Sequence, residues 1–199
     1  TGGATGDGNT SIATGAAMEF AGGANYAFTR QFNNNGRVLV DPATATFSGS
    51  GLHTGLFDVG TGGDLTFAGT SWTFNGMGAG IAGTGAMTFL SGLTTFGNGS
   101  ALTLTGTLHL LGGSVRFLAG SAMTLPEDFV IHGTSLDLST GTAQSYGRNI
   151  TMTAGGFGGA DPFTLTAGVF DWRGGTLFGP AALTLRDGTE LRVSGPDQK

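Results

Sequence analysis

The sequence predicts an all-β fold, a right-handed parallel β-helix (a β-solenoid), in which short strands coil around a narrow apolar core. Two observations predict it. The phrase GSALTL at residues 99–104 returns as GSAMTL at residues 120–125, 21 positions later. The runs between the two copies alternate polar and apolar residues, which is the pattern of half-buried strands. Three such strands per about 20 residues, joined by glycine and serine corners and then repeated, describe one coil of a solenoid.

Similar alternating runs follow one another along the chain. Before the repeated phrase they lie at 17–20, 25–28, 37–40, 44–47, 55–59, 64–67, 71–74, 86–89 and 93–96. Within and after it they lie at 101–105, 107–110, 114–117, 122–125, 129–132, 135–138, 150–153, 163–166, 169–173, 176–178, 182–185 and 190–193. Residues 33–36, Asn-Asn-Asn-Gly, are predicted to form a turn.

The domain organisation follows from this pattern. Residues 1–16 contain one core candidate, Ile12, and are predicted to form a loose lead-in or an incomplete coil. Residues 17–199 are predicted to form a single β-solenoid. The start, TGGATG, fits either a removed signal or an excised piece, and the abrupt end, GPDQK, favours the expectation of a segment of a longer chain or assembly.

Two spacings predict the number of coils. GGSV at 112–115 matches GGTL at 174–177, an offset of 62 residues or about three coils. A second motif, small or polar, apolar, threonine, apolar, recurs at intervals that average about 20 residues. Its threonines are Thr66, Thr88, Thr103, Thr124, Thr151, Thr164 and Thr184. We therefore expect about nine coils, each rising about 4.8 Å. The uneven steps on either side of Thr151 predict a displaced corner there.

Other folds fit less well. No window repeats apolar residues at helical spacing, and glycine interrupts every candidate helix. A left-handed β-helix would show a six-residue repeat, which the chain lacks. A β-sandwich is the alternative fold, but its strands are usually longer and its turns lie 8–12 residues apart.

Composition limits the classes of partner. Charged residues make up 11% of the 199 residues and the net charge is −5, so nucleic acid is not an expected partner. No apolar run approaches the roughly 18 residues of a membrane helix, so no transmembrane segment is predicted in this stretch. The 40 glycines are expected at corners, where their conformational freedom is useful.

The final coils resemble a known class of repeats. Residues 170–193 combine an aromatic-Asp-Trp-Arg strand, the GGTL corner and strand, and a GPAALTL restart. In these features they resemble the degenerate repeats of large bacterial surface and secreted β-helix proteins, the autotransporter passengers and filamentous-haemagglutinin-like adhesins. The likeness in style extends over residues 40–195.

The resemblance implies a non-enzymatic, extracellular or cell-surface module: a surface adhesin, stalk or fibre component. It would bind host or matrix glycans or proteins through its lateral faces, or stack end to end on neighbouring coils or other subunits. The family contributes no catalytic motif that can be placed on this chain.

An enzyme is the alternative function, because some β-helix proteins are polysaccharide lyases or hydrolases. Such chemistry needs acidic residues within about 5–10 Å on neighbouring coils. The densest polar cluster follows Pro126 and supplies the candidate catalytic residues Glu127, Asp128, His132 and Asp137. Outward-facing carboxylates at Asp58, Asp137 and Asp171 are otherwise typical of a solvated face.

No cofactor or metal site is predicted. His53, His109 and His132 are isolated from one another in the sequence, without metal-ligand spacing. Residues 155–161 nearly match a calcium-binding repeat, but Asp161 comes one place too late, so a plain turn is expected.

Ice or mineral binding is the third function considered, because of the recurring threonines. A second threonine two residues on is present on a minority of the rungs, which disfavours a flat two-wide array. Trp72 and Trp172 alternate in phase with core phenylalanines and are therefore expected in the core.

Overall fold

The prediction of a parallel β-helix is confirmed. The computed structural model describes residues 2–4, 7–127 and 129–195, and throughout these residues the regular elements are strands. The strands wind into a right-handed solenoid of about nine turns, and each strand pairs in parallel with its counterpart one turn away. Three strands make one turn, so every third strand along the chain belongs to the same face.

In chain order the first strands are β1 (Gly2–Ala4), β2 (Asn9–Ile12), β3 (Ala17–Phe20), β4 (Asn25–Phe28), β5 (Gln31–Asn34), β6 (Arg37–Val40), β7 (Thr44–Phe47), β8 (Ser50–His53), β9 (Leu56–Val59), β10 (Asp64–Phe67), β11 (Ser71–Phe74), β12 (Gly80–Gly83), β13 (Ala86–Phe89) and β14 (Leu93–Phe96). The remaining strands are β15 (Ala101–Leu104), β16 (Thr107–Leu110), β17 (Ser114–Phe117), β18 (Ala122–Thr124), β19 (Phe129–Ile131), β20 (Ser135–Leu138), β21 (Gln144–Tyr146), β22 (Ile150–Met152), β23 (Gly156–Gly159), β24 (Phe163–Leu165), β25 (Val169–Trp172), β26 (Thr176–Phe178), β27 (Leu183–Leu185) and β28 (Glu190–Val193).

Three faces enclose the core. Face 1 is a 10-stranded sheet that runs from β1 through every third strand to β28, and face 2 is a 9-stranded sheet from β2 to β26. Face 3 is divided into a 6-stranded sheet from β3 to β18 and a 3-stranded sheet from β21 to β27. Residues 1–16 supply β1 and β2, which pair with β4 and β5, respectively.

The interior holds the side chains that alternation predicted. The predicted core residues of the repeated phrase are all buried: Leu102, Leu104, Leu108, Leu110, Val115 and Phe117. Trp72 is also fully buried, as expected, and Trp172 packs partly buried against the core. Leu185 was expected in the same lumen but is 38% exposed. Among the described residues β27 is the last strand of face 3, and none of them covers it.

Aromatic side chains stack along the inside of face 2. The Phe74 and Phe96 rings lie 4.9 Å apart with planes 10° from parallel, and Phe96 and Phe117 lie 4.7 Å apart at 5°. In-register pairing places these residues directly above one another. Each ring therefore covers the next, which removes large apolar surfaces from water.

The predicted turn at residues 33–36 is wrong for its first two residues, which belong to β5. Asn34 is fully buried. Its side-chain amide donates to the Leu56 carbonyl at 3.0 Å, and its side-chain oxygen accepts from the Gly36 amide at 3.0 Å. Its backbone N–H donates to Nδ1 of His53 at 3.1 Å. These hydrogen bonds satisfy the polar groups of Asn34 and so offset the free-energy cost of burying them in the core.

Of the two spacings that predicted the number of coils, the structure confirms one and corrects the interpretation of the other. The 62-residue offset is confirmed, because β17 and β26 lie on face 2 three turns apart. The threonine motif does not mark one column. Thr66, Thr88 and Thr151 lie on face 1, whereas Thr103, Thr124, Thr164 and Thr184 lie on face 3. The uneven steps thus include changes of face, because all three faces demand the same alternation.

The core makes a first prediction, for Leu104→Asp. Leu104 is 0% exposed, so the substitution buries an unpaired carboxylate and should lower the free energy of unfolding by about 3–5 kcal/mol. Urea unfolding measures the change. Thr103→Asp is the matched control, since Thr103 faces solvent on the same strand and should tolerate the charge. Equal stability of the two variants would contradict the observed register.

His53 makes a second prediction. It is 1% exposed, stacks on Trp72 with centroids 5.7 Å apart, and its burial lowers its pKa from 6.5 to about 3. At pH values between about 3 and 6.5, His53 binds a proton in the unfolded chain but stays neutral in the folded protein. The free energy of unfolding should therefore fall as the pH drops below 6.5, by up to about 1.4 kcal/mol per pH unit from this residue.

His53→Gln cannot titrate and keeps an acceptor in the core, so it should lose this part of the pH dependence. His109→Gln is the control, because His109 lies exposed on face 1. Urea unfolding between pH 7 and pH 4 compares the three proteins. An identical pH slope in parent and His53→Gln would refute the assignment.

Candidate functional site

The predicted catalytic residues lie at different places on one coil. Glu127 lies in the corner that precedes β19, and His132 follows the same strand at its other end. Asp137 lies on the outer side of β20, on face 2. Asp128 lies outside the described residues. Nδ1 of His132 is 3.1 Å from Oγ1 of Thr153 on the next coil.

The spacing of these residues does not form a pair of catalytic carboxylates. Glu127 and His132 lie on opposite sides of β19, whose three extended residues span about 10 Å. The two described carboxylates, Glu127 and Asp137, belong to a corner and to a different face. Paired acids of glycoside hydrolases lie within about 5–10 Å. The described candidates are therefore not brought together.

Both carboxylates instead bind arginines on adjacent coils. Oε1 of Glu127 lies 3.2 Å from Nη2 of Arg148. Oδ2 of Asp137 lies 3.2 Å from Nε of Arg116, and its other oxygen accepts from the Ser139 hydroxyl at 2.7 Å. These exposed pairs link one coil to the next, and each contributes at most about 1 kcal/mol to stability.

The other outward aspartates also bind arginines, Asp58 on an adjacent coil and Asp171 within its own coil. Asp58 binds Arg37 on the preceding coil. Asp171 accepts from Arg173 at 2.6 Å and from the Ser194 hydroxyl at 3.1 Å. The hydrogen bond from Arg173, assisted by that from Ser194 and by the nearby arginine charges, holds the pKa of Asp171 below its usual value. Asp171 is therefore a stable anion and poorly suited as a proton donor near neutral pH.

Asp161, at the end of the near-match to a calcium repeat, is used within the protein. Its carboxylate accepts from the Thr140 amide at 2.5 Å, the Thr140 hydroxyl at 2.7 Å and the Gly141 amide at 2.9 Å. Successive backbone amides at a turn form a natural anion site, and here the next coil supplies the anion. Among the residues that the structure describes, no group of three histidines or acids could hold a metal ion.

The outer threonines do not form one continuous array. The central outward column of face 1 reads Ala27, Thr46, Thr66, Thr88, His109, Val130, Thr151, Asp171 and Arg192. Three consecutive coils thus carry threonine before the column changes chemistry. Such a column gives little support to binding of a regular ice or mineral lattice.

Two of the concave surfaces of the protein were not predicted from the sequence. One is a groove of about 380 Å³ on face 1, lined in part by Asn149, Thr151 and Asp171. The other is a cleft of about 260 Å³ on face 3, between β18 and β21, where that face is interrupted. The threonine spacing carries no signal of the second, because its uneven steps around Thr151 reflect a change of face.

No helix of the described residues has the length and apolar character needed to cross a membrane. Comparison of the chain with models of protein families, with curated proteins and with solved structures gave no match.

Proposed function

We propose that this protein is a non-enzymatic, extracellular structural or adhesive β-solenoid module, such as a surface adhesin, stalk or fibre component. It stacks end to end on further coils and offers its lateral faces to glycans or proteins of a host or matrix. The observation that carries the proposal is the apolar, unpaired surface of its last described coil.

That surface consists of inward positions that no described residue covers. Leu191 and Val193 of β28 continue the inward columns of Phe170 and Trp172, yet they are 38% and 53% exposed. Leu185 of β27 is 38% exposed for the same reason. A further coil, from the same chain or from a second subunit, would bury these side chains and pair the open strand edges.

The lateral faces support a binding rather than a catalytic role. Three of their carboxylates form ion pairs between coils, Asp58 with Arg37, Asp137 with Arg116 and Glu127 with Arg148. Between the ion pairs the outward residues are largely serine, threonine and asparagine, which can donate and accept hydrogen bonds without net charge. The extracellular location rests on the resemblance of residues 170–193 to repeats of exported β-helix proteins.

The end surface makes a third prediction. The purified 199-residue chain should form end-to-end oligomers whose size, followed by light scattering, grows with concentration. The double variant Leu191→Asp/Val193→Asp places charges on the stacking surface and should raise the dissociation constant at least about tenfold. The control Thr103→Asp/Thr107→Asp places the same charges on lateral faces and should assemble like the parent. A chain that stays monomeric at all concentrations and salt levels tested would contradict the stacking proposal.

The absence of catalysis is a fourth prediction. The purified protein should leave pectin, alginate and host glycans intact, because the candidate carboxylates Glu127 and Asp137 are each paired with an arginine and lie in a corner and on a different face. Reducing-end assays and product chromatography measure any cleavage. If the protein does depolymerise one of these substrates and Glu127→Gln or Asp137→Asn abolishes the cleavage, the enzyme alternative replaces the structural one.

A further inference from the structure

The interruption of face 3 exposes part of the apolar interior. Strands β18 and β21 lie one turn apart and do not pair, although elsewhere on this face neighbouring strands do. In the preceding strand, β15, the inward residues Leu102 and Leu104 are at most 1% exposed. Met123 of β18 continues the column of Leu102, yet Met123, Leu125 and Tyr146 are only partly buried. Apolar side chains thus meet solvent where the two strands do not pair.

We call the space between these two strands the face 3 cleft. Its volume is about 260 Å³. Its apolar lining consists of Met123, Leu125, Tyr146 and Phe163. Thr124 and Ser145 also line it and are exposed, so the cleft opens toward solvent. An engineered cavity of about 150 Å³ lined by apolar side chains holds one benzene molecule. The face 3 cleft is therefore large enough for a single substituted ring.

Hydrogen bonds between the two coils limit the cleft at both ends. Before β18, the Gly120 N–H donates to the Thr140 carbonyl at 2.8 Å. After β18, the Tyr146 hydroxyl donates to the carbonyl oxygens of Pro126 at 2.5 Å and of Glu127 at 2.6 Å. An extended chain cannot pass between the coils, so the cleft suits a compact ligand.

The rim of the cleft carries main-chain hydrogen-bonding groups. In a parallel sheet, successive residues direct their N–H and C=O groups to opposite neighbours. The Ala122 N–H donates to the preceding coil at 2.9 Å, so Met123 directs its main-chain groups toward the cleft. The Gln144 N–H donates to the following coil at 2.8 Å, so Ser145 directs its main-chain groups toward the cleft from the other side. Donors and acceptors therefore border the apolar lining.

We propose that the face 3 cleft binds a phenol, a small molecule with one aromatic ring and one hydroxyl group. Tyr146 and Phe163 offer aromatic surfaces, against which a further ring packs in offset or edge-to-face geometry. Met123 adds a flexible thioether that adapts to the edge of a ring. The ligand hydroxyl both donates and accepts, so it matches the main-chain groups of Met123 and Ser145. Small-molecule sites combine such an apolar lining with a few polar groups.

The ligands of the proposed function do not fit this site. A sugar would place several hydroxyl groups against Met123 and Phe163, where they find no partners. The stacking surface of Leu191 and Val193 contributes no residue to the cleft. Phenol binding can therefore succeed or fail independently of end-to-end stacking and of glycan binding on the lateral faces.

The methionine methyl groups locate the bound ligand. The chain has five methionines, and methyl NMR of methionine-labelled protein is applicable to large assemblies. On titration with phenol, the Met123 methyl resonance, assigned by its loss in Met123→Leu, should shift with saturation because the ring lies against it. Met77 is 94% exposed and Met87 is 0% exposed, and their resonances should stay in place. A Met123 resonance that does not shift, or that shifts without saturation together with that of Met77, would overturn the site.

Comparison of phenol with benzene tests the rim of the cleft. A purely apolar cavity prefers benzene, because the phenol hydroxyl loses its hydrogen bonds to water on burial. Bonds to the main chain of Met123 or Ser145 offset that loss, so phenol should bind at least about threefold more tightly than benzene. Equilibrium dialysis measures both affinities. Benzene that binds as tightly as phenol, or more tightly, would refute the proposed phenol site.

Met123→Trp tests the site from the protein side. The larger side chain occupies the space of the ligand, so phenol affinity should fall at least about tenfold. Thr103→Trp is the matched control, because it adds the same ring to the solvent-facing side of the neighbouring strand β15 and should bind phenol like the parent. Equal affinity of the two variants would contradict the assignment. Should Met123→Trp fold poorly, the Met123 methyl resonance of the parent protein decides the matter.

Discussion

The structure depends on one constraint, that each coil must lie on the previous one at the spacing of hydrogen-bonded strands. At corners this brings backbone against backbone. A Cβ on Gly55 would lie 2.1 Å from the carbonyl oxygen of Gly36, and one on Gly106 would lie 2.0 Å from that of Gly85. No side chain fits such a contact, so glycines stack on glycines at these corners. Part of the high glycine content is therefore a requirement of coil stacking.

Regular stacking also governs the interior and the outer faces. Because equivalent positions lie above one another, aromatic residues such as Phe96 and Phe117 form stacks, and outward charges such as Arg116 and Asp137 form pairs between coils. Even the polar residues of the core, Asn34 and His53, bond along this direction.

The proposed stacking concerns the place where the described coils end. No described residue covers Leu191 and Val193 of the last described coil. An open strand edge is a template for another strand, so the physical rule that holds the coils together also leads to the proposed stacking of subunits. Face 3 has a second interruption, between β18 and β21, where strands one turn apart do not pair.

The sequence by itself determined the fold class, the coil length and most of the core. The reason is that strand alternation and coil repetition both produce periodic patterns of apolar residues along the chain. Leu104 and Phe117 were assigned to the lumen from alternation alone, and the 62-residue offset gave the turn length. Strands without apolar alternation were missed: β1, β2, β5, β8, β12, β21 and β23. In β12 and β23 glycine hides the pattern, and in β5 the inward residue Asn34 is polar.

Only the tertiary structure decided which positions meet across coils. The threonine motif could not be assigned to a face from the sequence, because all three faces require the same alternation. The closeness of Glu127, His132 and Asp137 in the sequence did not become closeness in space, since a coil places successive strands on different faces. The face 3 cleft beside Met123 was likewise decided by packing. Whether two strands pair depends on the path of both coils, and no single segment encodes that path.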